Sequence, residues 1–203
     1  MSKPRLLYFD APVSRGEECR MALWLAGVDF DDVRIKIAEW PEQKATAPYG
    51  ALPVLEIPGK PAIAHSNAIL TLIGRKHDLH PTDAFDAASH EAMMCYVEDL
   101  RAKVSPTLRI KDAEEKRKAR EELAAGFLPE WGANVERHLG DGPFFAGAKL
   151  HVVDLKLYMA VRWFAGGAVD HVPATIFSSF PKLNRLFEAV GAEPRIKAWQ
   201  ARG

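Results

Sequence analysis

Arg5-Leu6-Leu7-Tyr8-Phe9, Asp10-Ala11-Pro12-Val13-Ser14, then Arg15 to Ala26 with Gly27 behind it, reads as a short apolar strand, a proline-bearing turn and a helix that glycine stops. A strand that hands straight to a helix is half of a β-α-β unit. Tyr8 stands near the end of that strand, facing the start of the helix. A phenol placed there can donate a hydrogen bond to an anion, and the helix start adds unpaired N–H groups and positive dipole character. A half-buried tyrosine bonded to local backbone is the other reading.

The chain continues in the same style. A second strand is expected over Asp31–Ile37, where Val33, Ile35 and Ile37 alternate with polar or charged neighbours. An irregular, proline-bearing stretch covers 38–51. A hairpin follows, with Pro53–Ile57, a turn at Pro58-Gly59-Lys60, and Ala62–Ala64. Ser66 then opens a helix expected over Asn67–His77. Leu79-His80-Pro81-Thr82-Asp83 reads as a linker. Beyond it the pattern is wholly helical. One run is expected from Ala84 to about Ile110 and a charged one from Lys111 to Leu139. A third covers Asp154–Ala165, and shorter ones cover Pro173–Val190, with a break near Pro181, and Pro194–Ala201. Two domains are therefore expected, 1–79 (mixed α/β) and 84–203 (all-helical).

With 203 residues, 48% apolar and 27% charged, the composition is that of a globular protein. Lys plus Arg and Asp plus Glu number 27 each, so no net field points to nucleic acid or an anionic membrane. No apolar run approaches the roughly 20 residues that span a bilayer. Met-Ser-Lys-Pro-Arg leads directly into a strand and lacks a signal-peptide core. Cys19 and Cys95 form no disulfide or metal framework. The expectation is a cytoplasmic protein with reduced thiols and no metal.

Further candidates cluster in the first eighty residues. Leu52-Pro53 opens a strand. A trans bond there simply marks the strand start, whereas a cis bond turns the preceding amide and carbonyl towards a ligand. His65-Ser66-Asn67 sits at the mouth of a helix, where the Ser66 hydroxyl suits an N-cap or a bound carboxylate. Trp40 and Lys44 supply an indole N–H and an ammonium four residues apart. They are either an ordinary core aromatic and a solvated lysine, or a clamp for a second carboxylate.

Taken together these motifs resemble the glutathione transferases, most closely the sigma-like, tyrosine-type members. The matches are Leu7-Tyr8-Phe9, Ser14-Arg15-Gly16-Glu17 leading to Arg20, Leu25-Ala26-Gly27-Val28, Gly50-Ala51-Leu52-Pro53-Val54-Leu55, and Ile63-Ala64-His65-Ser66-Asn67-Ala68-Ile69. Asp154-Leu155, and Phe180-Pro181-Lys182-Leu183 through Pro194 to Trp199, resemble the closing helical part. The resemblance implies a thioredoxin-like N-terminal domain followed by an all-helical C-terminal domain, a homodimer, and glutathione as co-substrate. It implies that Tyr8 donates to the glutathione sulfur and favours the thiolate, with Arg15 adding positive potential. Trp40 and Lys44 match positions that hold the glycine carboxylate. Leu52 pairs its backbone with the cysteinyl backbone, beside a cis Pro53. Ser66 holds the γ-glutamyl carboxylate. Asp99 (or its neighbour Glu98) reaches the γ-glutamyl ammonium across the dimer.

Three positions depart from the pattern. Ala51 and His65 stand where Gln is common. His151 stands three residues before Asp154 where Ser or Thr is the usual cap, so the following helix either leans on Asp154 or bears a cost on the order of 1 kcal/mol. By the same resemblance the electrophile pocket lies between Tyr8 and the helical domain, lined by Arg101, Ser105 and Leu108, with Trp163 and Phe164 opposite. Arg101 and Lys103 either select a polar electrophile or are surface charges. The activity implied is transfer of the glutathione thiolate to an electrophilic small molecule. A glutathione-dependent isomerase on the same site is an alternative. So is a non-enzymatic protein of this fold, as in lens crystallins of the same ancestry.

Overall fold

The computed structural model describes residues 3–202. The chain divides into two compact units. One runs through Ala87 and includes the chain from Glu193 onward; the other is Ala88–Ala192.

In the first unit β1 (Arg5–Phe9), α1 (Ser14–Leu25), β2 (Asp31–Ile35), the short α2 (Trp40–Gln43), β3 (Val54–Glu56), β4 (Ile63–Ala64) and α3 (Ser66–Lys76) follow in order. The β-α-β-α-β-β-α pattern is thus present. The sheet order is β2-β1-β3-β4, with β1 parallel to β2 and antiparallel to β3, and β3 antiparallel to β4. The second strand stops two residues before the expected Ile37, because the chain turns into a 3-10 segment over Ile37–Glu39. Gly27 closes α1 with φ +66, where a β-carbon is disfavoured. Val28 N–H reaches Leu23 C=O and Gly27 N–H reaches Trp24 C=O, which satisfies the last carbonyls of the helix.

Helix α9 (Pro194–Gln200) packs on α1. The residues from 193 onward therefore group with the first unit, although they follow the helical run in sequence. Two indoles make this docking. Trp24 Nε1–H donates to the Arg195 carbonyl at 2.8 Å, and Trp199 Nε1–H donates to the Glu17 carboxylate at 2.6 Å.

The second unit holds most of α4 (Ala84–Val104), then α5 (Ala113–Ala125), α6 (Phe127–His138), α7 (Val152–Ala165) and α8 (Pro181–Ala192). Three boundaries differ from expectation. Helix α4 ends at Val104 and gives way to a 3-10 turn, Ser105–Arg109, because Pro106 has no N–H to continue the ladder. The charged run is two helices rather than one, parted at Gly126, whose φ −124 and ψ −83 are not helical. Residues 173–180 form turns, and α8 starts at Pro181 with its first N–H groups, Lys182 and Leu183, donating to the Glu136 carboxylate of α6. Helix α7 is buried on nearly every face. Trp131 of α6 stacks on Tyr96 of α4 and packs against Phe177, which also meets Phe164 of α7 edge-on.

Asp154, the third residue of α7, ties the preceding loop to it. One carboxylate oxygen accepts from Phe145 N–H at 2.7 Å, the other from His151 N–H at 2.8 Å. Burial pushes this carboxyl up to about 7, against the backbone donors that favour the anion. Between the unfolded value near 3.9 and the folded one, the folded state binds more protons than the unfolded state. Its stabilising contribution is complete below the lower value and is lost as pH rises through the upper one. Asp154→Asn keeps one acceptor of two and lowers stability by about 1–3 kcal/mol. In denaturant titrations across pH 5 to 8, the gap between wild type and Asp154→Asn widens by about 1 kcal/mol per unit as pH falls below 7 and is flat above 8. A gap independent of pH would contradict the buried carboxyl's titration.

Candidate functional site

The register of the sheet assembles the site. Leu7 pairs with Val54, and Val54 with Ala64. One residue further along, Tyr8, Pro53 and His65 stand in line at one end of the sheet. The Leu52–Pro53 bond is cis, as the resemblance implied. Two helices begin at this same end: α1, after the turn that leaves β1, and α3, directly after β4. Their first N–H groups and positive dipole ends suit this edge to anions, carboxylates above all.

Tyr8 is 7% exposed. Its ring meets Phe9 edge-on, with centroids 5.4 Å apart, and Phe9 in turn meets Trp40 edge-on at 6.0 Å. Trp40, half-buried at the start of α2, is thus tied to Tyr8 through one aromatic neighbour. On its other side the phenol ring lies against the backbone of Gly16. A β-carbon there would sit 2.0 Å from Tyr8 Cδ1 and 2.2 Å from Cγ. The Arg20 guanidinium, fully buried, lies 5.8 Å from the ring centroid. Arg15 is the second residue of α1 and half-buried.

His65, at φ +69, is the residue that caps α3, and Ser66 is its first helical residue rather than its cap. The left-handed backbone at 65 brings the chain out of β4 and into the helix within one residue, which leaves Ser66 buried in the mouth of α3. The His65 ring, exposed, lies 5.3 Å from the ring of Tyr49, which also has positive φ. Lys44 is exposed, and its alkyl stem runs over Gly50. Leu52 is half-buried beside the buried Pro53.

The remaining candidates belong to the helical unit. Glu98 Oε1 accepts from Lys156 Nζ at 2.6 Å and from Arg101 at 2.8 Å. Lys156 and Arg101 are both buried, so Arg101 is a structural ion-pair partner here and not the surface charge that one reading gave it. Asp99, one residue on, is exposed. Ser105 and Trp163 are half-buried and Leu108 is exposed, while Phe164 is core.

The motif Ser14-Arg15-Gly16-Glu17 leading to Arg20 does not by itself announce that Gly16, Glu17 and Arg20 work beside Tyr8. The available signal was a glycine in the first turn of a helix, where it costs stability unless something needs the space. Trp199 gave no such signal, being 182 positions from its partner.

Residues 4–75 match the glutathione S-transferase N-terminal domain and residues 98–203 the C-terminal domain. A probable glutathione S-transferase 7 of Caenorhabditis elegans is 30% identical over 91% of this chain and 89% of its own. Hematopoietic prostaglandin D synthase of Gallus gallus is 29% identical over 98% and 96%. The solved structure of prostaglandin synthase D of Nilaparvata lugens superposes with a TM-score of 0.87 at 28% identity, covering 99% of this chain and 98% of that one. With both domain matches in chain order, this chain belongs to the glutathione S-transferase family.

Proposed function

We propose that this enzyme ionises the thiol of glutathione at Tyr8 and transfers the sulfur to an electrophilic small molecule. The observation that carries the reading is the row Tyr8, Pro53, His65 at one end of the sheet, flanked by two helix N-termini. Glutathione is a strand-like tripeptide with a thiol at its middle residue and a carboxylate at each end, and this edge offers a partner for each part. Leu52 presents backbone for an antiparallel contact with the cysteinyl residue. The Ser66 hydroxyl and the first N–H groups of α3 take the γ-glutamyl carboxylate, with His65 beside it. The Trp40 indole and Lys44 ammonium take the glycine carboxylate.

The thiol gives its proton to solvent, and the Tyr8 hydroxyl donates to the sulfur anion, which lowers the thiol pKa. Arg15 adds positive potential at the start of α1. The sulfur lone pair then forms a bond to electrophilic carbon, and the leaving group departs with its electron pair. Ser105, Leu108, Trp163 and Arg101 are the residues we assign to the electrophile, Arg101 through its pairing with Glu98. The relatives named prostaglandin D synthase favour a second reading, in which the same thiolate adds to a substrate and is expelled after rearrangement. We place the protein in the cytoplasm as a homodimer.

Glutathione binds in isothermal titration with micromolar-to-millimolar affinity, worth roughly 4 to 8 kcal/mol. Tyr8→Phe keeps most of that affinity and loses turnover, and the bound thiol titrates at higher pH. An unchanged thiol pKa with unchanged turnover would take Tyr8 out of the mechanism. Gly16→Ala, which forces the ring out of its slot, gives the same direction of change. The Tyr8→Phe/Gly16→Ala double variant shows no further rise in thiol pKa, since the hydroxyl is already gone.

In the dimer, Asp99 meets the γ-glutamyl ammonium of the partner's glutathione. Glu98 is already committed to Lys156 and Arg101 within its own unit. Asp99→Ala weakens glutathione binding by roughly tenfold with little change in melting temperature. Glu98→Ala removes a carboxylate shared by the buried Lys156 and Arg101 and lowers stability by about 3 kcal/mol. Sedimentation showing a monomer at micromolar concentration, or normal glutathione binding by Asp99→Ala, would rule out the shared site.

A further inference from the structure

Glu17 lies almost wholly buried on α1, and its two carboxylate oxygens serve different partners. Oε1 accepts from Trp199 Nε1–H at 2.6 Å, and Oε2 accepts from Arg20 at the longer distance of 3.4 Å. Arg20 lies beside the Tyr8 ring. An unbroken line of contacts therefore runs from the last helix to the phenol, Trp199 to Glu17 to Arg20 to Tyr8, all within one compact unit.

Each link has a physical consequence. A buried carboxylate must be matched by donors, and the short indole N–H both fixes the rotamer of Glu17 and draws on its charge. Arg20 is held by three firmer acceptors, Asp32 at 2.8 Å, the Ala11 carbonyl at 2.9 Å and the Phe9 carbonyl at 3.2 Å. The 3.4 Å contact to Glu17 is the adjustable one. Without the indole, the whole Glu17 charge turns to Arg20, draws the guanidinium towards α1 and screens it from the ring. A cation beside a phenol ring strengthens the hydroxyl as a donor, so screening weakens the hydrogen bond that Tyr8 gives.

We propose that Trp199 is a positioning residue for Tyr8, the last helix acting through Glu17 and Arg20 to set the ring's place and its hydroxyl's strength as a donor. This rests on the reading of Tyr8 as the donor to the glutathione sulfur. Trp199 touches neither glutathione nor the reacting atoms.

Spectroscopic titration of the bound thiol tests it. Trp199→Phe keeps an aromatic ring on α9 and removes the N–H. The bound thiol pKa rises by roughly half a unit and kcat/KM falls about threefold, with KM for glutathione nearly unchanged because the carboxylate contacts are elsewhere. Glu17→Gln moves the thiol pKa the other way, since an amide no longer screens Arg20. Trp24→Phe is the control. It removes a comparable tether of α9, the bond to the Arg195 carbonyl, without touching Glu17, and leaves the thiol pKa in place. An unmoved pKa in Trp199→Phe overturns the proposal. An equal rise in Trp24→Phe also overturns it, by showing that anchoring of α9 in general is what matters. Where Trp199→Phe is too unstable to assay, Glu17→Gln decides: a fall supports the relay, and a rise or no change overturns it. If Tyr8→Phe itself leaves the thiol pKa unchanged, the thiolate reading fails and the relay falls with it. A Tyr8→Phe effect alongside an unmoved Trp199→Phe sinks the relay alone.

Discussion

A guanidinium cannot be buried without acceptors, and the first unit is arranged around that constraint at Arg20. Its side chain is fully buried. It draws in the carbonyls of Phe9 and Ala11, at the turn leaving β1, together with Asp32 of β2 and Glu17 of its own helix. These acceptors come from four consecutive parts of the chain. Satisfying them fixes where β1 ends, how the turn runs and how α1 approaches the sheet. Losing the Asp32 carboxylate, the shortest of these contacts, weakens the compensation of a desolvated charge and costs about 3 kcal/mol, a sizeable part of a domain's net stability. The position of Tyr8 follows, because Tyr8 is the last residue but one in the strand so held.

The legibility of the sequence tracks where the determining contacts lie. Strands β1 and β3, the glycine stop at Gly27 and the helix at Ser66 all rest on residues adjacent in sequence, and the motifs there were readable, whereas the cis Leu52–Pro53 bond was implied only by the family resemblance. The position of Ser66 was displaced by one because His65 takes a left-handed backbone, which nothing in a histidine announces. The charged run after residue 110 read as one helix although its composition changes at Gly126, from the charged Lys111–Ala125 to the apolar Phe127-Leu128-Pro129. Pro129, three residues on, is tolerated in the first turn of a new helix and was the signal of a break. The roles of Glu17 and Arg20 were not legible, since α1 buries charged residues among its apolar ones. A helix with buried ion pairs shows no clean apolar stripe. Trp199 joins them through a contact that only the fold creates.

The helical unit solves a similar problem with less symmetry. Lys156 lies in the middle of α7, where it is fully buried, and Glu98 of α4 answers it while also holding Arg101. That one carboxylate already serves two buried cations. Glu98 is therefore poorly suited to serve a further ammonium, whereas Asp99 is exposed on the neighbouring face of the same helix. The choice between two adjacent acidic residues, which spacing alone left open, turns on what is already buried beside one of them. The same reasoning recasts Arg101. Its charge is committed internally, so any part it has in selecting a substrate is exercised from a fixed position rather than by a mobile surface arm.

Conjugation and isomerisation differ in what leaves, not in what attacks. Both require the sulfur anion, and the residues assigned to making it, with the last helix that positions Tyr8, all belong to the first unit. Gly16 holds the phenol ring by its lack of a side chain, a constraint written in backbone geometry and insensitive to the substrate. Arg20 sets the local field through ion pairs that are equally indifferent to the electrophile. The thiolate-forming half of the site can therefore stay constant while side chains elsewhere change the reaction. That separation is in keeping with one fold carrying relatives named for transfer and relatives named for prostaglandin synthesis.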